Sequence, residues 1–201
     1  MHISEGVLSA PVLIAGAVLS AGGVTIGLKK MSYDKIPQVA VLSSAFFVAS
    51  LIHIPIGPSS THLVLNGLLG ILLGWMAFPS ILVALSLQAL LFQFGGFTVL
   101  GVNTLIMASP AILAYLLFSP LVKKANISLV SAGGFMAGMT GIVVGVLLIA
   151  FALISTGESF RNVAKVIIIA HIPVMIIEGI VTAFCVIFLK RVKPEILEVS
   201  K

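Results

Sequence analysis

The stretch IPQVAVLSSAFFVASLIHIPIGPSSTHLVLNGLLGILLGWMAFPSILVALSLQALLFQFGGFTVLGVNTLIMASPAILAYLLFSPLV, residues 36–122, runs for 87 positions without an Asp, Glu, Lys or Arg. A membrane-spanning helix needs about 20 mainly apolar residues, so the stretch has room for four. It divides at its breakers. Ile54-Pro55-Ile56-Gly57-Pro58-Ser59-Ser60 marks a connection, Phe78-Pro79 a tight turn, and Gly95-Gly96 through Gly101 a further loop. Outward from it, the uncharged residues 6–28 and 125–157 hold one span each, and 166–189, interrupted only by Glu178, holds a last one. The expected spans are 7–28, 38–53, 62–77, 79–94, 103–122, 127–155 and 162–189. All are continuously apolar, without the alternation of a membrane β-barrel. The sequence therefore predicts an all-α, polytopic bundle of seven transmembrane helices, a single domain over residues 1–201.

Composition excludes the other classes. The chain is 60% hydrophobic and 8% charged, with a mean hydropathy of +1.27. Soluble domains carry about 25% charged residues, and disordered chains need low hydrophobicity. Placement of the cations sets the orientation. Lys29, Lys30, Lys35, Lys123, Lys124, Lys190, Arg191, Lys193 and Lys201 fall on one side, and only Arg161 and Lys165 on the other. Positive charge concentrates in cytoplasmic loops, so the N-terminus is expected outside and the C-terminus inside. The net charge of +5 then reflects topology and requires no nucleic-acid partner. The N-terminus lacks the cationic start of a signal peptide and carries Glu5 instead, so Met1 is expected to stay in the mature protein. Cys185, the single cysteine, reads as a packing residue. No Gly-x-x-x-x-Gly-Lys-Ser/Thr loop and no His-Glu-x-x-His helix occurs, so the chain is expected to be no enzyme and to have no ATP site of its own.

Polar groups inside a membrane are costly and therefore candidates for function. His2, Ser59, Ser60, His62, Asn66, Gln88, Gln93, Asn103 and His171 all fall in the outer half of this topology. The N-terminus, the 54–62 loop and the 95–103 loop are expected to converge on one outward pocket, with His62 and Asn66 on one helical face. An organic anion would need cations there, and a hard dication several carboxylates; only Glu5 is near. Imidazoles suit nickel, copper, cobalt and zinc. Met1-His2 adds a particular logic. The Met1 α-amine and the His2 peptide nitrogen close a five-membered chelate, and the peptide nitrogen and His2 Nδ1 a six-membered one. That leaves one corner of a plane for an imidazole such as His62. The plane favours Ni²⁺ or Cu²⁺, less strongly Co²⁺, and disfavours tetrahedral Zn²⁺.

The opening Met1-His2-Ile3-Ser4-Glu5-Gly6-Val7-Leu8-Ser9 resembles the start of the CbiM/NikM family, the substrate-binding (S) components of energy-coupling factor nickel and cobalt transporters. The resemblance continues through Ser59-Ser60-Thr61-His62, Gln88-Ala89-Leu90-Leu91-Phe92 with Gly95-Gly96, Leu100-Gly101-Val102-Asn103-Thr104, and His171-Ile172-Pro173 with Glu178-Gly179. It implies Ni²⁺ or Co²⁺ as transported substrate, held by the Met1 amine, the His2 peptide nitrogen and ring, and the His62 ring. It also implies a prokaryotic cytoplasmic-membrane location and separate partners: a transmembrane coupling subunit, ATPase subunits and a small accessory membrane subunit in some systems. The run Thr61-His62-Leu63-Val64-Leu65-Asn66-Gly67 departs from the family pattern and leaves the role of Asn66 open.

Other readings stand beside these. Without the resemblance, His62 reads as a helix-start residue capped by Thr61. His53 reads as interfacial or as an alternative ligand. Ser60, Asn66, Gln88 and Asn103 are expected either to orient an imidazole or to hydrogen-bond between helices. His171 and Glu178, two turns apart, are expected as a structural pair bracing a kink at Pro173. Their other reading, a proton relay, belongs to a self-sufficient secondary transporter. Tyr33 and Trp75 read as membrane-interface residues.

Overall fold

A computed structural model describes residues 2–51, 53–56 and 59–197, with residues 53–56 described by backbone alone. The chain is mainly helical: α1 Ala10–Lys29, α2 Ile36–Ala49, α3 Asn66–Leu73, α4 Ala77–Phe92, α5 Leu100–Val122, α6 Ile127–Thr156 and α7 Arg161–Val192. Among the described residues, five segments are long and apolar enough to cross a membrane: Ala10–Lys29, Asn66–Phe92, Leu100–Val122, Ile127–Thr156 and Glu158–Val192. At 1.5 Å per residue, the 14-residue α2 and eight-residue α3 reach only about 21 Å and 12 Å, short of the roughly 30 Å hydrocarbon core. The expected spans 62–77 and 79–94 accordingly meet in one helical stretch, broken by a 3-10 turn at Gly74–Met76. Every residue of α3 is buried. It is a half-length helix enclosed by α5, α6 and α7, which explains why a segment so apolar need not cross.

The structure corrects the all-α expectation at one place. Residues 53–62 form an antiparallel hairpin, β1 His53–Ile56 and β2 Ser59–His62, in which His53 pairs with His62 and Pro55 with Ser60. Ile3 adds a bridge to Ser59, so the N-terminal segment lies along β2. The next helix begins only at Asn66, after Leu65 in a left-handed conformation (φ 57°). His62 is therefore a strand residue, not a helix start capped by Thr61, and it does not share a helical face with Asn66.

Small residues set the closest packing. A Cβ on Gly138 of α6 would stand 2.8 Å from Thr182 Oγ1, and one on Gly134 would stand 2.9 Å from the Ala183 Cα, both in α7. Gly134 and Gly138 thus set the α6–α7 contact, while Gly133 packs on α5 and Gly141 on the start of α3. Cys185 is half-buried and packs against the core.

Candidate metal centre

Seating of the N-terminal segment begins with Asn103, near the start of α5. Its Oδ1 accepts from the Ile3 backbone N–H at 3.0 Å, and its Nδ2 donates to the Ile3 carbonyl at 3.0 Å. This two-point grip, with the bridge to Ser59, fixes the backbone immediately after His2. The turn after α4 closes over it. The Glu5 N–H donates to the Gly95 carbonyl at 2.9 Å, and the Glu5 carboxylate accepts from the Thr98 N–H at 2.8 Å. That N–H holds the exposed Glu5 carboxyl below its ordinary range. Gly95 and Gly96 have φ of 74° and 109°, which side chains rarely adopt. A Cβ on Gly96 would also run into the Glu5 side chain. The Gly-Gly pair is what leaves room for the N-terminal segment.

So placed, the two imidazoles meet. His62 Nε2 lies 3.2 Å from His2 Nδ1, with ring centroids 4.8 Å apart and both residues buried. The other ring nitrogens fix the tautomers. His62 Nδ1 is 2.8 Å from the Leu63 carbonyl, which only accepts, so His62 Nδ1 carries the hydrogen. His2 Nε2 is 2.6 Å from Gln88 Oε1, also an acceptor only, so His2 Nε2 carries the hydrogen.

Ser50, at the end of α2, sets which way Gln88 points. Its hydroxyl contacts the Phe46 and Phe47 carbonyls at 3.0 and 2.9 Å, to which it donates. Its oxygen is then an acceptor for Gln88 Nε2, which turns Gln88 Oε1 toward His2. The chain from Ser50 to Gln88 to His2 is wholly buried. Its outcome is two neutral imidazoles whose unprotonated nitrogens, His2 Nδ1 and His62 Nε2, face each other. A proton between them would have to charge one ring, and burial pushes the His62 imidazole well below the ordinary histidine range. Two facing lone pairs in a buried site are a place for a cation.

Gln88 and Asn103 are thus found where they orient His2, one through its ring and one through its backbone. Ser60 is buried in β2 beside the pocket. Asn66 is fully buried at the start of α3, and its side-chain oxygen and nitrogen have no hydrogen-bond partner among the described residues. Met1 and the His53 side chain lie outside the described residues. Among the described residues, no three or more His, Cys, Asp or Glu side chains are grouped to hold a metal ion; the imidazole pair needs nitrogen donors from elsewhere.

The His171–Glu178 pair does not form. His171 Nδ1 is bonded to the Ile167 carbonyl at 2.8 Å, within its own helix. Glu178 Oε1 reaches across to the backbone N–H groups of Val64 and Leu65, the latter at 2.9 Å. Two residues on one helical face can each serve a different neighbour, and here Glu178 serves the segment joining His62 to α3. Sequence reasoning missed both this clamp and Ser50.

Comparison with known proteins gives one consistent result. Residues 2–196 match the pattern of the family CbiM, described as "Cobalt uptake substrate-specific transmembrane region". A Haemophilus influenzae protein, provisionally named a metal transport protein, is 41% identical over 201 residues, covering 98% of this chain and 97% of that one. The cobalt transport protein CbiM of Sorangium cellulosum is 31% identical, covering 98% and 95%. Two crystal structures of transition metal transporters, one of them truncated, superpose with TM-scores of 0.74 and 0.72 at 24% identity. The truncated one covers 97% of this chain and 99% of its own, the other 96% and 93%. At that identity they speak for the fold alone.

Proposed function

Because this multi-pass membrane chain belongs to the CbiM family of cobalt-uptake, substrate-specific transmembrane regions, we propose that it captures Ni²⁺ or Co²⁺ as the substrate-binding subunit of an ATP-driven energy-coupling factor importer. The ion sits in a plane of four nitrogens: the Met1 amine, the His2 peptide nitrogen, His2 Nδ1 and His62 Nε2. The carrying observation is the 3.2 Å convergence of the last two. Metal–imidazole bonds of about 2 Å put adjacent corners of a square about 2.8 Å apart, so the two rings close by only about 0.4 Å on loading. The partners are a transmembrane coupling subunit and ATPase subunits, which drive inward release. The chain's N-terminus faces outside and its C-terminus the cytoplasm.

The test is to add one residue before Met1. The extended protein should lose Ni²⁺ and Co²⁺ binding by at least 100-fold in calorimetry, together with the yellow absorption of a planar, diamagnetic Ni²⁺ species. Unchanged affinity in the extended protein would overturn the four-nitrogen site.

A further inference from the structure

A groove of about 580 Å³ runs between α1, α2 and α4, from Leu28, Met31 and Ile36 at one end to Phe47, Leu87 and Leu91 at the other. Its wall is chemically apolar. The two hydroxyls on it, Ser43 and Ser44, donate to the Val39 and Ala40 carbonyls of their own helix at 2.8 and 2.9 Å. The run along α2 from Ile36 to Phe47 is about 16 Å at 1.5 Å per residue. That is half of the roughly 30 Å hydrocarbon core, the depth of one leaflet.

The mouth at the Leu28 end is cationic. Lys29 and Lys30 stand between the lining residues Leu28 and Met31, and Lys35 immediately precedes Ile36. Between Leu28 and Ile36 the one acidic residue in sequence is Asp34, 3.9 Å from Lys35. Tyr33, 92% exposed, marks the same level as a headgroup belt. A second apolar groove of about 500 Å³, between α1 and α5, passes Val18, Gly22 and Leu116, and no charged residue adjoins its lining in sequence.

We propose that the first groove binds one anionic phospholipid, with its acyl chain between α1, α2 and α4 and its phosphate at Lys29, Lys30 and Lys35. Basic sites between membrane helices at the headgroup level select anionic lipids. A hydrocarbon chain needs an apolar channel of one leaflet's depth, and of the two grooves the first offers both. An apolar helix of another membrane protein would fill the groove but offer no counter-charge to the three lysines.

The test uses the full chain in neutral detergent, titrated with phosphatidylglycerol or phosphatidylcholine and read by native mass spectrometry and thermal shift. Each cation near an anionic surface is worth about fivefold, so phosphatidylglycerol should be retained at least tenfold more tightly than phosphatidylcholine. K29Q/K30Q/K35Q should abolish the preference while leaving the melting temperature in phosphatidylcholine unchanged. Ala40→Trp, which fills the groove, should weaken retention of phosphatidylglycerol at least tenfold. Gly22→Leu, whose Cβ meets nothing within 4 Å, fills the second groove and should change nothing. Equal retention of the two lipids by the native chain, or undiminished retention by Ala40→Trp, would overturn the site. The latter would leave the groove as a face for a protein partner.

Discussion

Replacing Gln88 by Leu tests how the imidazole pair is prepared for a metal. Leu keeps the approximate volume of the side chain and removes both ends of its relay. His2 Nε2–H loses its acceptor at 2.6 Å in a fully buried place, and Ser50 loses the donor that Gln88 Nε2 supplies. An unsatisfied buried donor costs about 1–3 kcal/mol. The ring is then free to take the other tautomer, with the hydrogen on Nδ1, where it blocks the metal. Loss of a group that orients a metal-bound histidine typically costs 10–100-fold in affinity, or about 1.4–2.7 kcal/mol, in the same range as the hydrogen-bond estimate. Calorimetric Ni²⁺ titration of the Leu variant should therefore give a Kd raised 10–100-fold. Nitrogen-15 NMR of histidine-labelled, metal-free protein should show His2 shifting from a purely Nε2–H form toward a mixture. Ser50→Ala should move both readings the same way by a smaller step, because it frees the Gln88 amide to flip without removing it. Affinity within twofold of the native chain, or a native His2 already in the Nδ1–H form, would refute this account of the site.

Other expectations follow from the neighbouring contacts. Glu178→Ala should lower unfolding stability by about 2–4 kcal/mol, since the Val64 and Leu65 N–H groups lose their buried acceptor; Glu178→Gln, which keeps an acceptor oxygen, should restore most of it in a denaturation series. Asn103→Ala should release the Ile3 backbone, speeding hydrogen exchange at residues 2–5 and weakening Ni²⁺ binding while far-ultraviolet dichroism is unchanged. The metal-free protein should lose thermal stability as pH falls below 6.5. There the unfolded His62 takes up a proton that the native ring, held well below its ordinary value by burial, does not; the loss levels off once pH passes below the native value. Stability flat from pH 7.5 to pH 5 would contradict that burial.

What the sequence made legible, and what it hid, divide along a physical line. The apolar stretches and their breakers located the helices, because burial in hydrocarbon constrains every residue of a segment. His2, His62, Gln88 and Asn103 stood out for the same reason: a polar group in an apolar run needs a cause. The hairpin at 53–62 did not, since Pro55, Gly57 and Pro58 read as a turn, and its strands are set by Ile3 arriving from elsewhere in the chain. Ser50 was hidden among serines such as Ser43 and Ser44, which bond back to the preceding turn as Ser50 does; only a glutamine from another helix gives it a second task. Helical periodicity placed His171 and Glu178 on one face, but a shared face does not name a partner. The half-length α3 was read as a span because hydropathy measures burial and cannot tell lipid from protein as the apolar surroundings.

The contacts that build the metal centre are among the most distant in the chain. His2 meets His62, Gln88 and the neighbouring Ile3 meets Asn103 across separations of 60, 86 and 100 residues. Closing loops of that size is entropically unfavourable and slows the steps that depend on it. The centre therefore assembles after the helices that carry it: during synthesis the N-terminal segment waits until α5 has emerged, and on refolding metal-binding competence trails the recovery of helix.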